Sequence, residues 1–235
     1  MTASTSATPM LFQFRYSGSC EKVRRALAHK GVSWDTTEVE WFNREPLERL
    51  TRQALVPVFV HAGAVLGPNS WAIARYVEDH FPGPSLFPGE SAAHCFFFNE
   101  YAENRLYHLG VRAFMPYASL LFGYDERMEN DIRRIAGVSR EQLERTMDDT
   151  CRDWLVQLDY LDDHFRDRNF ILGGELSFAD HAVYSWYWFS ANNAEFRELI
   201  EPSIKPRGRA WIDHMKAWRF TDIFAATCNT AHCTA

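Results

Sequence analysis

The first clear pattern along the chain is a short apolar run, Met10 to Arg15 (MLFQFR), which predicts a strand. Past a small polar gap, residues 20 to 30 bring Val23, Ala26 and Leu27 to one face and Glu21, Lys22, Arg24 and Arg25 to the other. That spacing predicts a three-turn helix, stopped by Gly31. Residues 32 to 39 (VSWDTTEV) are β-rich and predict a second strand. A strand reached through a helix pairs in parallel with its predecessor, by a right-handed crossover. Pro46 to Thr51 reads as a short helical or irregular link. Val56, Val58 and Val60 then flank Pro57, His61-Ala62-Gly63 turns the chain, and Ala64 to Leu66 returns. This is a hairpin with a proline at the start of its first strand, where an edge or a cis bond tolerates it. Residues 69 to 81 (NSWAIARYVEDHF) predict a helix capped by Asn69 or Ser70, with Ile73, Tyr76, Val77 and Phe81 as its buried stripe. The order is βαβ, then ββα.

Beyond residue 90 the strand pattern disappears. Residues 82 to 90 (PGPSLFPGE) are the densest Pro/Gly segment and mark a boundary. Residues 91 to about 122 predict one long, aromatic-rich helix with a kink at Pro116. Ser139 and Gln142 form a capping box ahead of a helix running to about Phe165, and Ser177 with Asp180 caps a helix apolar nearly all round. Arg207 to Arg219 makes a last helix with Trp211, Met215 and Trp218 on one face. The expected organisation is a disordered leader at 1–9, an α/β domain at 10–82, a linker at 83–90, an all-helical domain at 91–225 and a tail at 226–235.

Composition narrows the class. The 235 residues are 46% hydrophobic and 24% charged, an ordinary soluble balance, with a high aromatic share of 15%. A net charge of −6 argues against nucleic acid as the main partner. Five cysteines form no even framework, which fits a reducing compartment and a cytoplasmic location. No apolar run reaches the ~18 residues that a membrane span needs, and MTASTSATPM has no signal-peptide pattern.

The segment FRYSGSCEKVRRAL places Ser17, Ser19 and Cys20 between the first strand and the first helix. Together with VPVF, NSWAIARYVEDHFP and LGGELSFADHAV, in this order and spacing, it resembles the cytosolic glutathione transferases over roughly residues 10 to 220. The third helix and linker are somewhat similar to bacterial and fungal etherase-type branches. The resemblance implies a thioredoxin-like N-terminal domain followed by an all-helical domain, glutathione as co-substrate, no metal, a small hydrophobic electrophile as second substrate, and a homodimer.

It also implies roles for residues. In serine-type members the functional hydroxyl lies just after the first strand, six positions before the valine of the first helix; counted from Val23, that is Ser17. Ser19 then caps the helix, and Cys20 occupies the second cysteine position of C-x-x-C versions, where a mixed disulfide could form. Ser19 or Cys20 as the working group, or a merely structural turn, stay open as alternatives. Pro57 is the expected cis-proline, with the Val56 backbone pairing with the cysteinyl unit of glutathione. The γ-glutamyl carboxylate would sit at the helix opened by Asn69 and Ser70, where unpaired amides favour an anion. The chain departs from the family pattern twice. Asn69 stands where an acidic residue is usual, and Leu55 where a lysine or glutamine is common, with Arg52 and Gln53 nearby.

The chemistry asks little of a single hydroxyl. Lowering a thiol pKa by ~2 units from ~8.5 takes ~2.7 kcal/mol. One hydrogen bond to a charged acceptor supplies ~1.5–3 kcal/mol, and a helix N-terminus adds ~0.3–1. A non-catalytic binding or assembly protein, motivated by Leu55 and Asn69, and a Cys20-dependent thiol transferase are the alternatives.

The other candidates have plain readings beside the functional one. The aromatic run at 95–108 could wall an acceptor pocket and is otherwise core or dimer interface; Arg105, Tyr107 and Arg112, on the same predicted helix, could face the cleft and are otherwise surface ion-pair residues. His108, His164 and His181 lack metal-ligand spacing, as do Cys228, His232 and Cys233. Residues 131 to 149 read as a solvated, mixed-charge helix pair.

Overall fold

The computed structural model describes residues 8–218. Expectations for residues 1–7, for Arg219 and for the tail with Cys228, His232 and Cys233 lie outside them. The chain divides into two compact units, one holding the described residues up to Leu86 together with Lys216–Trp218, the other Phe87–Met215.

The first unit is a four-stranded sheet with three helices. In chain order these are β1 (Met10–Gln13), α1 (Gly18–His29), β2 (Asp35–Glu38), α2 (Glu45–Thr51), β3 (Val58–His61), β4 (Ala64–Leu66) and α3 (Ser70–His80). The strand order is β2-β1-β3-β4, with β1 parallel to β2 and antiparallel to β3, and β4 antiparallel to β3. The β1/β2 pairing is parallel, as the helical connection requires. Period-two alternation puts Val58 and Val60 on the face covered by Leu47 of α2, with Val39, Phe12 and Val56. Phe59, one position out of phase, meets Tyr76 of α3 at 5.9 Å between ring centroids. Pro57 precedes β3, a central strand, and the Val56-Pro57 bond is cis; Gly67-Pro68, which no pattern singled out, is cis as well. Pro9, assigned to the leader, is buried, and its carbonyl accepts from the Asp35 amide at 2.8 Å.

Helix α1 ends as Gly31 predicted. Gly31 has φ +66°, its amide donates to Ala28 at 3.0 Å and the Val32 amide to Leu27 at 2.9 Å, the two bonds of a Schellman motif. Its charged face is not open to water: Glu21, Lys22, Arg24 and Arg25 are all buried.

The second unit, Phe87–Met215, holds helices and no named strand. They are α4 (Ala92–Tyr101), α5 (Tyr107–Phe122), α6 (Glu126–Ala136), α7 (Arg140–Arg145), α8 (Met147–His164), α9 (Phe178–Ala191), α10 (Ala194–Ile200) and α11 (Pro206–Ala217). The predicted helix over 91–122 is two helices joined by a π-helical stretch, Ala102–Leu106, and α5 continues through Pro116. The helix expected from Ser139 to Phe165 is also two, divided at Thr146. No pattern had suggested α10. Helices α6 and α7 carry mixed charge over a small apolar seam of Met128, Ile132 and Leu143, as expected.

Helix α9 is the centre of this unit and is buried on nearly every side. Gly110 of α5 lies against it: a Cβ there would stand 3.0 Å from Phe189 and 3.3 Å from Trp186. Asp162 of α8 caps α11, taking the amides of Arg207 and Gly208 at 2.7 and 2.9 Å. The sequence therefore forms a small α/β unit followed by an all-helical one.

Candidate functional site

Sheet topology gathers three segments at one end of the first unit. Because β1 and β3 are antiparallel with Phe12 opposite Val58, the loop leaving β1 and the loop entering β3 emerge at the same edge. Strand β4 runs back along β3, with Leu66 opposite Phe59, and so delivers the start of α3 to that edge. Ser17, Val56-Pro57 and Asn69-Ser70, far apart in sequence, share this end of the sheet. Gly67 makes the approach possible. It has φ +154°, and any Cβ there would lie 2.4 Å from the Pro57 carbonyl oxygen.

Ser17 is the N-cap of α1, and its side-chain oxygen accepts from the Cys20 amide at 3.2 Å. Its own amide donates to Phe14 at 2.9 Å. The capping role expected of Ser19 therefore belongs to Ser17, because the helix begins two residues earlier than the apolar spacing suggested; Ser19 lies inside the first turn, half-buried. The cap uses the Ser17 oxygen as an acceptor and not its O–H.

Cys20 is completely buried. Burial pushes its thiol above the ordinary range, against the lowering effects of Arg24 and the Ser17 hydroxyl. Burial both closes the thiol off from solvent and raises its pKa, which argues against the thiol-transferase alternative through Cys20.

Behind Ser17 lies a charged network that the sequence reading missed. Glu21 accepts from Arg24 Nε at 2.9 Å and from Arg25 Nε at 2.7 Å, with all three side chains buried. Burial raises the Glu21 pKa, but the charges of Arg25 and Arg24 and their hydrogen bonds prevail and hold it below the ordinary value. Arg24 also donates to Gln13 Oε1 at 2.8 Å and to the Arg15 carbonyl at 3.0 Å. The charge run EKVRR carried the signal, but buried and solvated charged faces have the same helical spacing.

At the second segment, neither the amide nor the carbonyl of Val56 has a hydrogen-bond partner among the described residues. At the third, Asn69 is the N-cap of α3, its Oδ1 accepting from the Ala72 amide at 3.0 Å. Ser70 is the first helical residue, buried, with its amide ahead of the first intrahelical bond.

The sequence also matches known proteins. Residues 11–85 fit the family model described as Glutathione S-transferase, N-terminal domain. Over residues 11–85 the chain is thus similar to a glutathione S-transferase N-terminal domain. Glutathione S-transferase 1 of Dianthus caryophyllus is 34% identical over 92 residues, 37% of this chain and 41% of that protein. A probable glutathione S-transferase of Solanum tuberosum is 25% identical over 174 residues, 72% of this chain and 67% of that one. In fold, the chain is similar to rice GST1, solved in complex with glutathione, at TM-score 0.65 and 23% identity, over 95% of this chain and 91% of that one. The architecture is thus the glutathione-transferase fold.

The two positions expected to depart from the family pattern are Asn69, the N-cap of α3, and Leu55. Leu55 is 58% exposed and offers no polar side-chain group. Gln53, the nearest amide, is committed to the Leu55 backbone: its Nε2 donates to the carbonyl at 3.0 Å and its Oε1 accepts from the amide at 2.5 Å. Arg52 is exposed, in left-handed conformation with φ +60°.

The acceptor-pocket candidates belong to the second unit. Tyr107 packs edge-on against Trp186, with centroids 5.1 Å apart, and so serves the helical core. Burial raises its phenol pKa. Arg105 is exposed in the π-helical stretch and Arg112 half-buried in α5, and neither forms an ion pair among the described residues. No group of three or more potential metal ligands occurs among the described residues, and no helix is long and apolar enough to cross a membrane.

Proposed function

We propose that the chain is a glutathione transferase in which the Ser17 hydroxyl donates to the sulfur of bound glutathione and stabilises its thiolate. The thiolate then attacks the electrophilic carbon of a small hydrophobic substrate. The observation that carries this reading is the convergence of Ser17, the unpartnered Val56 backbone and the start of α3 at one end of the sheet. A tripeptide finds there what its chemistry asks for. Its main chain can pair strand-like with Val56, one carboxylate can take the Ser70 amide and hydroxyl, and its sulfur then faces a helix start capped by a hydroxyl. The exposed Arg52, close to Val56 in sequence, would in this reading meet the second carboxylate. In this reading the protein is a cytoplasmic homodimer.

Ser17→Ala tests it. Losing one donor to a charged sulfur should lower the conjugation rate about 10- to 150-fold, the equivalent of ~1.5–3 kcal/mol. Equal rates in the two proteins exclude Ser17 from the mechanism.

A second reading, a non-catalytic binding or assembly protein, is favoured by Leu55 and by the use of the Asn69 oxygen as a cap. Calorimetry separates the two: no heat with millimolar glutathione supports the second.

A further inference from the structure

We propose that Arg24 is a positioning residue for Ser17, its buried guanidinium fixing the turn that aims the serine hydroxyl. This rests on the transferase reading above.

The segment between β1 and α1 is four residues, Phe14, Arg15, Tyr16 and the N-cap Ser17, and lies outside the regular hydrogen bonding of strand and helix. Arg24 holds this segment from inside. It is 1% exposed, and its planar fork reaches three places at once: Gln13 Oε1 at the end of β1 at 2.8 Å, the Arg15 carbonyl in the turn at 3.0 Å, and Glu21 on its own helix at 2.9 Å. The strand, the turn and the helix are thereby pinned to a single rigid group.

The opposite side of the same turn is held from β2, where Glu38 Oε1 accepts from the Arg15 amide at 2.6 Å. With both sides of Arg15 fixed, the Ser17 amide closes onto Phe14 at 2.9 Å, and the Ser17 oxygen closes onto Cys20 at 3.2 Å. The hydrogen bonds to Gln13, Arg15 and Glu21 bear on the strand, the turn and the helix, and through them Arg24 acts on the hydroxyl by way of the turn. Glu21 makes the arrangement affordable to bury by balancing the guanidinium at 2.8 Å.

Arg24→Lys keeps the charge and loses the fork, since one ammonium cannot span acceptors placed this way. The readout is the titration of glutathione bound to the protein, followed by the ultraviolet absorbance of its thiolate, together with the pH profile of kcat/KM. In Arg24→Lys the bound thiol should titrate about one unit higher than in wild type, with kcat/KM about tenfold lower near neutral pH. The two profiles should converge in alkali, where the thiolate forms unaided. Arg25→Lys disturbs the same Glu21 through its other oxygen and should leave the titration within about 0.3 units of wild type. Should Arg24→Lys fail to fold, Gln13→Leu removes one anchor of the fork and should move the titration the same way by a smaller step.

A bound thiol that titrates identically in wild type, Arg24→Lys and Gln13→Leu overturns the proposal. So does a loss of rate by the same factor at every pH, or an equal shift in Arg25→Lys. A wild-type protein whose bound glutathione titrates like free glutathione overturns the transferase reading itself, a result distinct from all of these.

Discussion

Helices α1 and α9 each begin on a serine N-cap, and the residue three positions on separates their roles. In α9 that residue is Asp180. Ser177 is completely buried and gives Asp180 both its amide, at 3.1 Å, and its hydroxyl, at 2.9 Å. The other oxygen of Asp180 takes the Ile171 amide at 2.9 Å and the Trp211 indole at 3.0 Å. In α1 the corresponding residue is Cys20, which offers no carboxylate, and Ser17 is only half-buried. A closed capping box consumes the hydroxyl's hydrogen, whereas in α1 no carboxylate takes it. The same motif is a staple in one unit and a candidate donor in the other.

The largest effect should come from opening the closed box. Asp180→Ala strands the Ile171 amide, the Ser177 amide and hydroxyl and the Trp211 indole in the core. Urea unfolding should show a loss of about 3–5 kcal/mol. A loss under ~1 kcal/mol would mean that these donors find other partners and that the staple is dispensable.

Next comes the acid that anchors α1. Glu21→Gln leaves two buried guanidinium groups without their counter-charge, and about 3 kcal/mol should be lost near neutral pH. The two acids also predict opposite pH slopes. Glu21 is held below its ordinary value of 4.5, so its contribution is complete above that value and disappears as pH falls through the lower, folded one. Asp180 is pushed up by burial, against its four donors; its folded state holds the proton more tightly, and stability falls as pH rises through its folded value. Denaturation midpoints across the acid range should therefore flatten on the acid side in Glu21→Gln. An unchanged acid slope in that variant removes Glu21 from the account.

Smaller effects separate cap from chemistry at Ser17. Ser17→Ala should cost about 1 kcal/mol and Ser17→Gly a few tenths, roughly, because glycine is a fair cap. Both should be equally slow in conjugation. A glycine variant that keeps its activity would show that the hydroxyl serves the helix alone. Smallest of all, Ser19→Ala should change thermal stability by no more than ~0.5 kcal/mol, since Ser19 caps nothing.

The strand periods, the Gly31 stop and the Ser177-Asp180 box could be read from local spacing, because each is written within a few residues. The true start of α1 could not. Gly18 and Ser19 are poor helix formers, and the turn that makes Ser17 the cap is fixed by Arg24 and Glu38 from other elements. Nor could the burial of Cys20 and the charged face of α1, which depends on what packs over them. The meeting of Val56 and Ser70 with Ser17, and a Val56 backbone free to pair, were implied by the family resemblance and not by any local spacing.

Gly67 sets the interval between two of these segments. Its bare backbone lies against the Pro57 carbonyl, closer than any other residue would permit. A side chain at Gly67 would therefore push the loop before β3 away from the segment that leads into α3. In the proposed function, a tripeptide held by both would meet this contact as a ruler on the length between its main chain and its terminal carboxylate.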